Sequence, residues 1–386
     1  KCPKCKKLAK RETDTMDTFV DSSWYFLRYC SPKSKKIFDK EANFWMPIDM
    51  YIGGGEHATG HLIYFRFFTK VLKELGLLKI NEPAIKLYNH GDVNKDGLRM
   101  SKSRGNVVDP VDTVQKYSAD TLRLFIIFVS SPDKTLEWDE KGIEGSHRFL
   151  KKIYSLLEKK LESSDKQLQN KIHRAIKEVT ESIEEFKLNT AVVKIMEYGD
   201  FLNKKEIISK ESLEVLCKLL NPICPHITEE IWEKLGNKKF LALEKWPKHN
   251  EKYIDDELEF AEEFIENIKN DIQQVFKLIN REGKVTLFIS EKWKYSFFQK
   301  LKKEIEKTRD FKKLLEKLKD KEHMQEIVKI IQSVLKDSSK LPKIILSQEK
   351  ELEILKQAGF HVIKSEDSRE QKAKQAIPGK PAILVK

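Results

Sequence analysis

The segment Arg99-Met100-Ser101-Lys102-Ser103-Arg104-Gly105-Asn106 sets a lysine between two serines, with Gly97 and Gly105 on either side. Lysine carries a compact charge with three rotatable donors. The hydroxyls of Ser101 and Ser103 add short polar contacts, and glycine lets the backbone bend. Such a loop can hold the outer phosphates of a nucleotide while charge develops on departing pyrophosphate. Its spacing is not that of a GxxxxGK[ST] phosphate loop. On these residues alone, an ordinary basic surface turn weighs more.

Two further segments carry groups of the right type for a ligand pocket. In Glu12-Thr13-Asp14-Thr15-Met16-Asp17-Thr18-Phe19-Val20-Asp21-Ser22-Ser23-Trp24-Tyr25, the rings of Phe19 and Tyr25 can wall an apolar pocket, with Ser22 closing one side. Plain core packing is the alternative. In Tyr51-Ile52-Gly53-Gly54-Gly55-Glu56-His57-Ala58-Thr59-Gly60-His61, the glycines let a ligand approach the backbone at a strand end. Glu56 can accept hydrogen bonds from ribose hydroxyls. His57 and His61 lie four apart and can share a helix face. The string is not HExxH, and a structural histidine pair weighs more than a metal site.

Cys2-Pro3-Lys4-Cys5 is half of a thiolate zinc knuckle, whose structural form needs four ligands. Cys30 is the other cysteine nearby. Cys217 and Cys224 read as buried small hydrophobes.

These groups need elements to position them. Asp49 to Ile52 reads as a strand and Gly53 to Gly55 as its exit. His61 to Leu75 has helical spacing, with Leu62, Phe65, Val71 and Leu75 on the apolar face and Gly76 as the stop. Ile85 to Tyr88 reads as a second strand, followed by a polar loop from Asn89 to Asn106. This is the rhythm of an α/β nucleotide-binding layer. From Gly142 to Gly236 the pattern is helical and predicts a bundle. In its last helix Ile223, Ile227, Ile231, Trp232 and Leu235 share a side, and Pro225 sits where a missing amide is harmless. Lys239 to Pro247 is irregular. Residues 250–280 read as a long helix. A small α/β domain follows, with strands at Val285–Ile289, Ile344–Leu346, His361–Ile363 and Ala382–Val385, and helices through 291–337 and Glu351–Gln357.

The 386 residues allow two to four domains. Hydrophobic residues make up 40% and charged residues 35%, and no apolar run is long enough for a membrane span. The net charge is +12, of which residues 261–386, with 28 basic and 20 acidic side chains, supply +8. That balance favours a polyanionic partner without proving one. Five irregularly spaced cysteines argue for a reducing compartment. The chain opens at Lys1 with neither an initiating Met nor a signal-peptide pattern, which predicts a fragment or processed chain.

The lysine loop, extended through Val107-Val108-Asp109-Pro110, closely resembles the second signature of the class I aminoacyl-tRNA synthetases, with Arg99 where the family form begins with Lys. The Phe19 and Gly53 segments resemble the leucyl branch of that family. Asn221-Pro222-Ile223-Cys224-Pro225-His226-Ile227-Thr228-Glu229-Glu230-Ile231-Trp232 resembles the family's helical anticodon-binding fold, and Asp120 to Trp138 its connecting fold. Trp293-Lys294-Tyr295 and the run Lys372 to Pro381 resemble the C-terminal domain of the archaeal-type leucyl enzyme, whereas the catalytic motifs have a bacterial character. Gly55 and Gly60 depart from the bulkier residues of many relatives. The family's first signature, HIGH, and the editing domain are absent.

The resemblance implies a multidomain protein: the C-terminal part of an α/β Rossmann-like catalytic domain, an α-helical bundle and a small C-terminal α/β domain. Its expected boundaries are 1–10 for a partial cysteine knuckle, 11–118 for the second half of the catalytic domain, 119–141 for the stem-contact region, 142–260 for the anticodon-binding-type bundle and 261–386 for a tRNA-binding domain. It implies leucine activation with ATP and transfer to tRNA(Leu), with the missing N-terminal half in the same chain or as a separate subunit. Lys102 and Arg99 would be catalytic. Gly53, Gly54, Glu56, Met100, Ser101, Lys102 and Ser103 would bind ATP, which arrives with Mg²⁺. Phe19, Ser22, Tyr25, His57 and His61 would form the leucine pocket. Trp293, Lys294, Lys372, Lys374 and Lys380 would touch tRNA, as lysines beside exposed aromatics. Cys2 and Cys5 would be a half-site for Zn²⁺ in the complete enzyme. The cytoplasm is the expected location, with no membrane partner. A non-catalytic tRNA-binding or assembly protein is the alternative, and a synthetase for a related branched amino acid is a third reading. For the lysines at the C-terminal end, a solubilising cap stays open.

Overall fold

The computed structural model describes residues 1–342 and 344–386. They form two compact units, Lys1–Glu251 and Lys252–Lys386.

In the first unit, the strand Ile48–Gly54 pairs in parallel with Ala84–His90, in a register that sets Ile48 opposite Ala84 and Gly54 opposite His90. Parallel neighbours need a crossover, and the helix His61–Glu74 supplies it. Its inward line is His61, Phe65 and Thr69, at the four-residue spacing of one helix face. Leu62 and Leu72 pack beside them, but Leu75, expected on the apolar face, is exposed. Leu75 caps the helix where Gly76 turns the chain at φ 72°, and that turn takes its side chain away from the core.

The stretch Asn89–Asn106, expected to be a loop, contains a hairpin. Val93–Lys95 pairs antiparallel with Leu98–Arg99 and in parallel with Leu136–Glu137. Asp96 and Gly97 both have positive φ, 57° and 73°, which is the tight turn that an Asp-Gly pair favours. The helices Pro110–Tyr117 and Ala119–Val129 then lead into the bundle.

The bundle consists of Glu140–Ser155, Lys166–Glu184, Leu188–Lys204, Lys210–Leu220 and Pro225–Lys234. Apolar residues at helical spacing, such as Ile172, Ile176 and Val179 against Val192, Ile195 and Leu202, are fully or nearly fully buried. Ile223, Ile231 and Trp232 join this core, with Ile227 and Leu235 packed on it, and Pro225 opens its helix.

The second unit begins with Asp256–Ile279, whose first turn carries Asp256, Glu257 and Glu259, the signs that an N-terminal helix dipole favours. Its sheet has Val285–Ile289 in the middle, antiparallel to Ala382–Val385 and parallel to Val362–Lys364. Asp256–Ile279 and the helix Gln348–Gln357 share a core with it, while Lys292–Ile305, Phe311–Leu318 and Met324–Lys336 pack together in a second apolar cluster. Among the described residues, Ile344 to Leu346 form no strand. Leu346 is buried as a core side chain instead, so its apolar character serves packing without a sheet partner.

Candidate functional site

The lysine loop grows out of the Asp96-Gly97 hairpin. One side chain holds it. The Asn106 Oδ1 accepts the Ser101 amide at 2.9 Å, while its Nδ2 donates to the Leu98 and Arg99 carbonyls at 3.3 Å. Gly105, at φ 68°, closes a turn by donating to the Lys102 carbonyl. The Ser101 and Ser103 hydroxyls lie 2.8 Å apart. Lys102 sits exposed in the turn Lys102–Arg104, and its ammonium takes part in no ion pair among the described residues. Asn106 is the positioning residue that motif reading passed over. A side chain that can satisfy both a donor and an acceptor, beside a glycine, was the available signal.

Arg99 joins this loop to the glycine strand. Its guanidinium lies 3.2 Å from the Glu56 carboxylate and 3.2 Å from that of Asp92. Glu56 is held below the usual carboxylate range, first by its own backbone amide and then by Arg99. The carboxylate folds back over Gly54, where an added Cβ would lie 2.4 Å from a Glu56 oxygen. Gly53 is buried beside His57, where an added Cβ would lie 3.3 Å from that ring, a milder crowding.

The aromatic cluster centres on His61, which is 6% exposed. Its Nε2 lies 2.7 Å from the Ser22 carbonyl and its Nδ1 2.6 Å from the Tyr51 hydroxyl. A carbonyl only accepts, so Nε2 carries the proton and the Tyr51 hydroxyl donates to Nδ1. Burial raises the Tyr51 phenol, which keeps it a donor. Phe19 meets both His57 and His61 edge-on, at 5.9 and 5.7 Å between ring centres. Tyr25 is tilted 6.3 Å from His61 and is 41% exposed. Phe19, Ser22, Tyr25, His57 and His61 therefore come together, with Ser22 contributing its backbone carbonyl. Gly60 explains one departure noted in the sequence: a Cβ there would lie 2.7 Å from the Phe19 ring. Nothing crowds Gly55.

Cys2 and Cys5 share a turn closed by the Cys2 amide on Lys7 and the Lys6 amide on Cys2, both 2.9 Å, with Lys6 at φ 60°. The Cys2 thiol is lowered by the amides of Cys5 and Lys4 and by the Cys5 thiol. That chemistry suits a soft cation, but two thiols are half a tetrahedral set. Cys30 is raised by burial. No group of three or more metal-binding side chains occurs among the described residues.

In the second unit, Lys372, Lys374 and Lys380 are exposed. The expected exposed aromatic–lysine pair is corrected. Trp293 is half-buried, stacked 4.0 Å from His323 and donating to Glu291 at 2.7 Å. Lys294 is 3% exposed, donating to the Lys374 carbonyl at 3.3 Å and lying 3.5 Å from Glu326. Its position one residue after Trp293 turns it into the core, since Tyr295, Phe297 and Phe298 share that buried side. Buried Glu351 accepts the Gly379 amide at 3.1 Å, which steadies the turn bearing Lys380, and burial pushes its carboxyl up to about 7.

Residues 3–139 match the family model for tRNA synthetases class I (I, L, M and V), and residues 165–352 match that for the anticodon-binding domain of tRNA ligase. A nucleotide-type α/β layer carrying a charged lysine loop, followed by that helical domain, defines the class, and the chain belongs to the class I tRNA synthetases. Within them it is similar to leucine–tRNA ligases. It is 49% identical to that of Thermosipho melanesiensis over 65% of this chain and 33% of the relative. It is 44% identical to that of Thermotoga maritima over 68% of this chain and 35% of the relative. Among solved structures it is similar to the LeuRS of Agrobacterium radiobacter K84 in a LeuRS–tRNA–LeuAMS ternary complex, at 34% identity and a TM-score of 0.59, over 75% of this chain and 37% of that one. The chain thus spans about a third of the length of the curated relatives it matches. No helix among the described residues is long and apolar enough to cross a membrane.

Proposed function

We propose that this chain supplies the ATP-gripping half of a leucine-activating centre, together with helical and C-terminal surfaces for tRNA(Leu). The carrying observation is the Arg99 bridge, which joins Glu56 at the glycine-strand end to the loop bearing Lys102. Gly53 and Gly54 admit the adenosine against the backbone, and Glu56 accepts from the ribose once Arg99 turns toward phosphate. Ser101, Ser103 and the Met100 backbone line the approach. The cluster of Phe19, Ser22, Tyr25, His57 and His61 borders the leucine side chain.

The leucine carboxylate oxygen attacks the α-phosphorus of ATP, and the bond to the bridging oxygen of pyrophosphate breaks. Lys102 and Arg99 stabilise the charge that gathers on that leaving group, so catalysis rests on position and electrostatics. Mg²⁺ travels with the ATP phosphates. The ribose hydroxyl of the terminal tRNA adenosine then attacks the leucyl carbonyl and AMP leaves. A front half bearing HIGH, in the same chain or as a separate subunit, completes the site. The uncovered apolar groups of the strand pair, Ile52, Ile85 and Leu87, support a partner surface there. The cysteine turn would contribute two of four zinc ligands in such an assembly.

The test is leucine-dependent ATP–pyrophosphate exchange by the chain assembled with that half. Lys102→Ala lowers exchange by roughly 100- to 1000-fold with little change in assembly. Exchange that persists at full rate in this variant rejects the proposal.

A further inference from the structure

A cavity of about 670 Å³ lies where the helices that follow the lysine loop meet the bundle. We infer that this cavity is a pocket for one unstacked nucleotide of a bound RNA. The inference rests on the proposed tRNA-binding role and names a site within it. The volume suits a single flat ligand. The lining is mainly apolar, with the rings of Tyr117 and Tyr154 and the side chain of Val114 offering surfaces for a base.

Three polar features give the pocket a direction. Tyr117 is 7% exposed, and the Lys116 ammonium lies over its ring, 4.7 Å from the centre, where it also serves the Tyr117 hydroxyl. An aromatic face with a cation beside it suits a base followed by its phosphate. Ser118, with φ 98° and ψ 156°, occupies backbone space that glycine alone takes readily, and it opens the helix Ala119–Val129 at the pocket. Strain of that kind collects at ligand clamps, and the start of a helix favours an anion. Lys151 is exposed on the lining and makes no ion pair among the described residues.

The local acid is already occupied. Asp120, 4% exposed, accepts the Ile227 amide at 2.7 Å and lies 2.8 Å from the His226 Nδ1. Outside the pocket, Lys234 lies 5.5 Å over the Tyr154 ring. Lys116 and Lys234 also lean on exposed Glu140 at 3.9 Å and Glu230 at 3.3 Å, contacts weak enough to exchange. Three ammonium groups around one base-sized cavity exceed the need of a single phosphate. They match a phosphate backbone that continues past it, which favours RNA over a free mononucleotide.

The experiment measures binding of tRNA(Leu) to the full chain across a salt series, alongside AMP, GMP, CMP and UMP by equilibrium dialysis. Tyr154→Leu keeps apolar bulk but removes the ring, and weakens tRNA binding about tenfold. Tyr154→Trp restores it to within about twofold, which general packing loss would not predict. Lys151→Ala weakens binding and lowers the salt slope by about one, while Lys300→Ala, in the other unit, serves as the charge-matched control. Unchanged tRNA binding by Tyr154→Leu overturns the pocket and leaves the functional reading standing. A chain that binds no tRNA overturns both. Tyr154-dependent binding of a mononucleotide, with tRNA affinity indifferent to Tyr154→Leu, assigns the cavity to a free nucleotide and overturns the RNA assignment.

Discussion

The α/β layer and the helical bundle share one compact unit, yet they bury their apolar groups to very different depths. Among the described residues, the layer packs eight buried hydrophobics around Phe65, whereas the bundle packs 27 around Ile195. The layer also leaves large apolar side chains in solvent, with Ile85 65% exposed on its sheet of two parallel strands and Phe67 61% exposed on the crossover helix. Parallel strands are ordinarily covered on both faces. The bundle is a finished core, while the layer holds its ligand-type residues on a surface suited to further cover. The proposed site therefore sits on the part with the smaller buried core.

The contrast breaks or holds first on core truncation. Phe65→Ala should cost about 3–5 kcal/mol, and Ile195→Ala about 2–5 kcal/mol. Amide hydrogen exchange should show the first variant losing protection in Ile48–Gly54 and His61–Glu74 while Leu188–Lys204 stays protected. Uniform loss throughout residues 1–251 would mean that the two cores melt as one. Next comes the uncovered face. Ile85→Asp should leave the melting temperature of the chain alone nearly unchanged but weaken assembly with the proposed front half by about 30-fold, as read by titration of the two pieces. If assembly is unaffected, the cover lies elsewhere.

A smaller effect sharpens the junction between the two parts. Ser118→Gly should stabilise the unit by about 1 kcal/mol, because relief of the positive φ outweighs the few tenths lost at the helix cap. Calorimetry would show this as a higher melting temperature, and a lower one would place the strain elsewhere. The smallest effect concerns acid. Glu82 is held at about 2 by Arg66 and then Lys70, which tie the helix His61–Glu74 to the chain before the second strand. Its folded value lies below the unfolded one, so the stabilisation is full above pH 4.5 and fades as pH falls toward 2. Solvent screening limits it to less than about 1 kcal/mol. Glu82→Gln should flatten that part of the layer's acid profile and leave the bundle's unchanged.

Much of this was legible in the residues. Glycines, helical spacing and Pro225 located the strand pair, the crossover and the bundle, because local chemistry and burial agree there. The stretch around Asp96-Gly97 reads as a loop although that dipeptide is a strong turn signal, because the strands it joins are only three and two residues long and carry no alternating pattern. Lys294 misled because its character as a lysine says nothing about direction, and the helix Lys292–Ile305 turns it toward the Lys374 carbonyl. The role of the Ser22 carbonyl beneath His61 was hidden because backbone acceptors leave no trace in residue type. The strand expected at Ile344–Leu346 had apolar character but no partner within reach of local reasoning.

The helix that starts at Ala119 is bolted to the last bundle helix and the turn before it. Besides the two bonds of Asp120, Arg123 donates to the Ile223 and Pro222 carbonyls at 2.7 and 2.9 Å. Asp120 cannot release its donors without stranding a buried carboxylate, so this end acts as a fixed abutment. The lysine loop is joined to this fixed end by the short span from Val107 to Ser118, most of it the eight-residue helix Pro110–Tyr117, so a displacement of the loop would have to be taken up there.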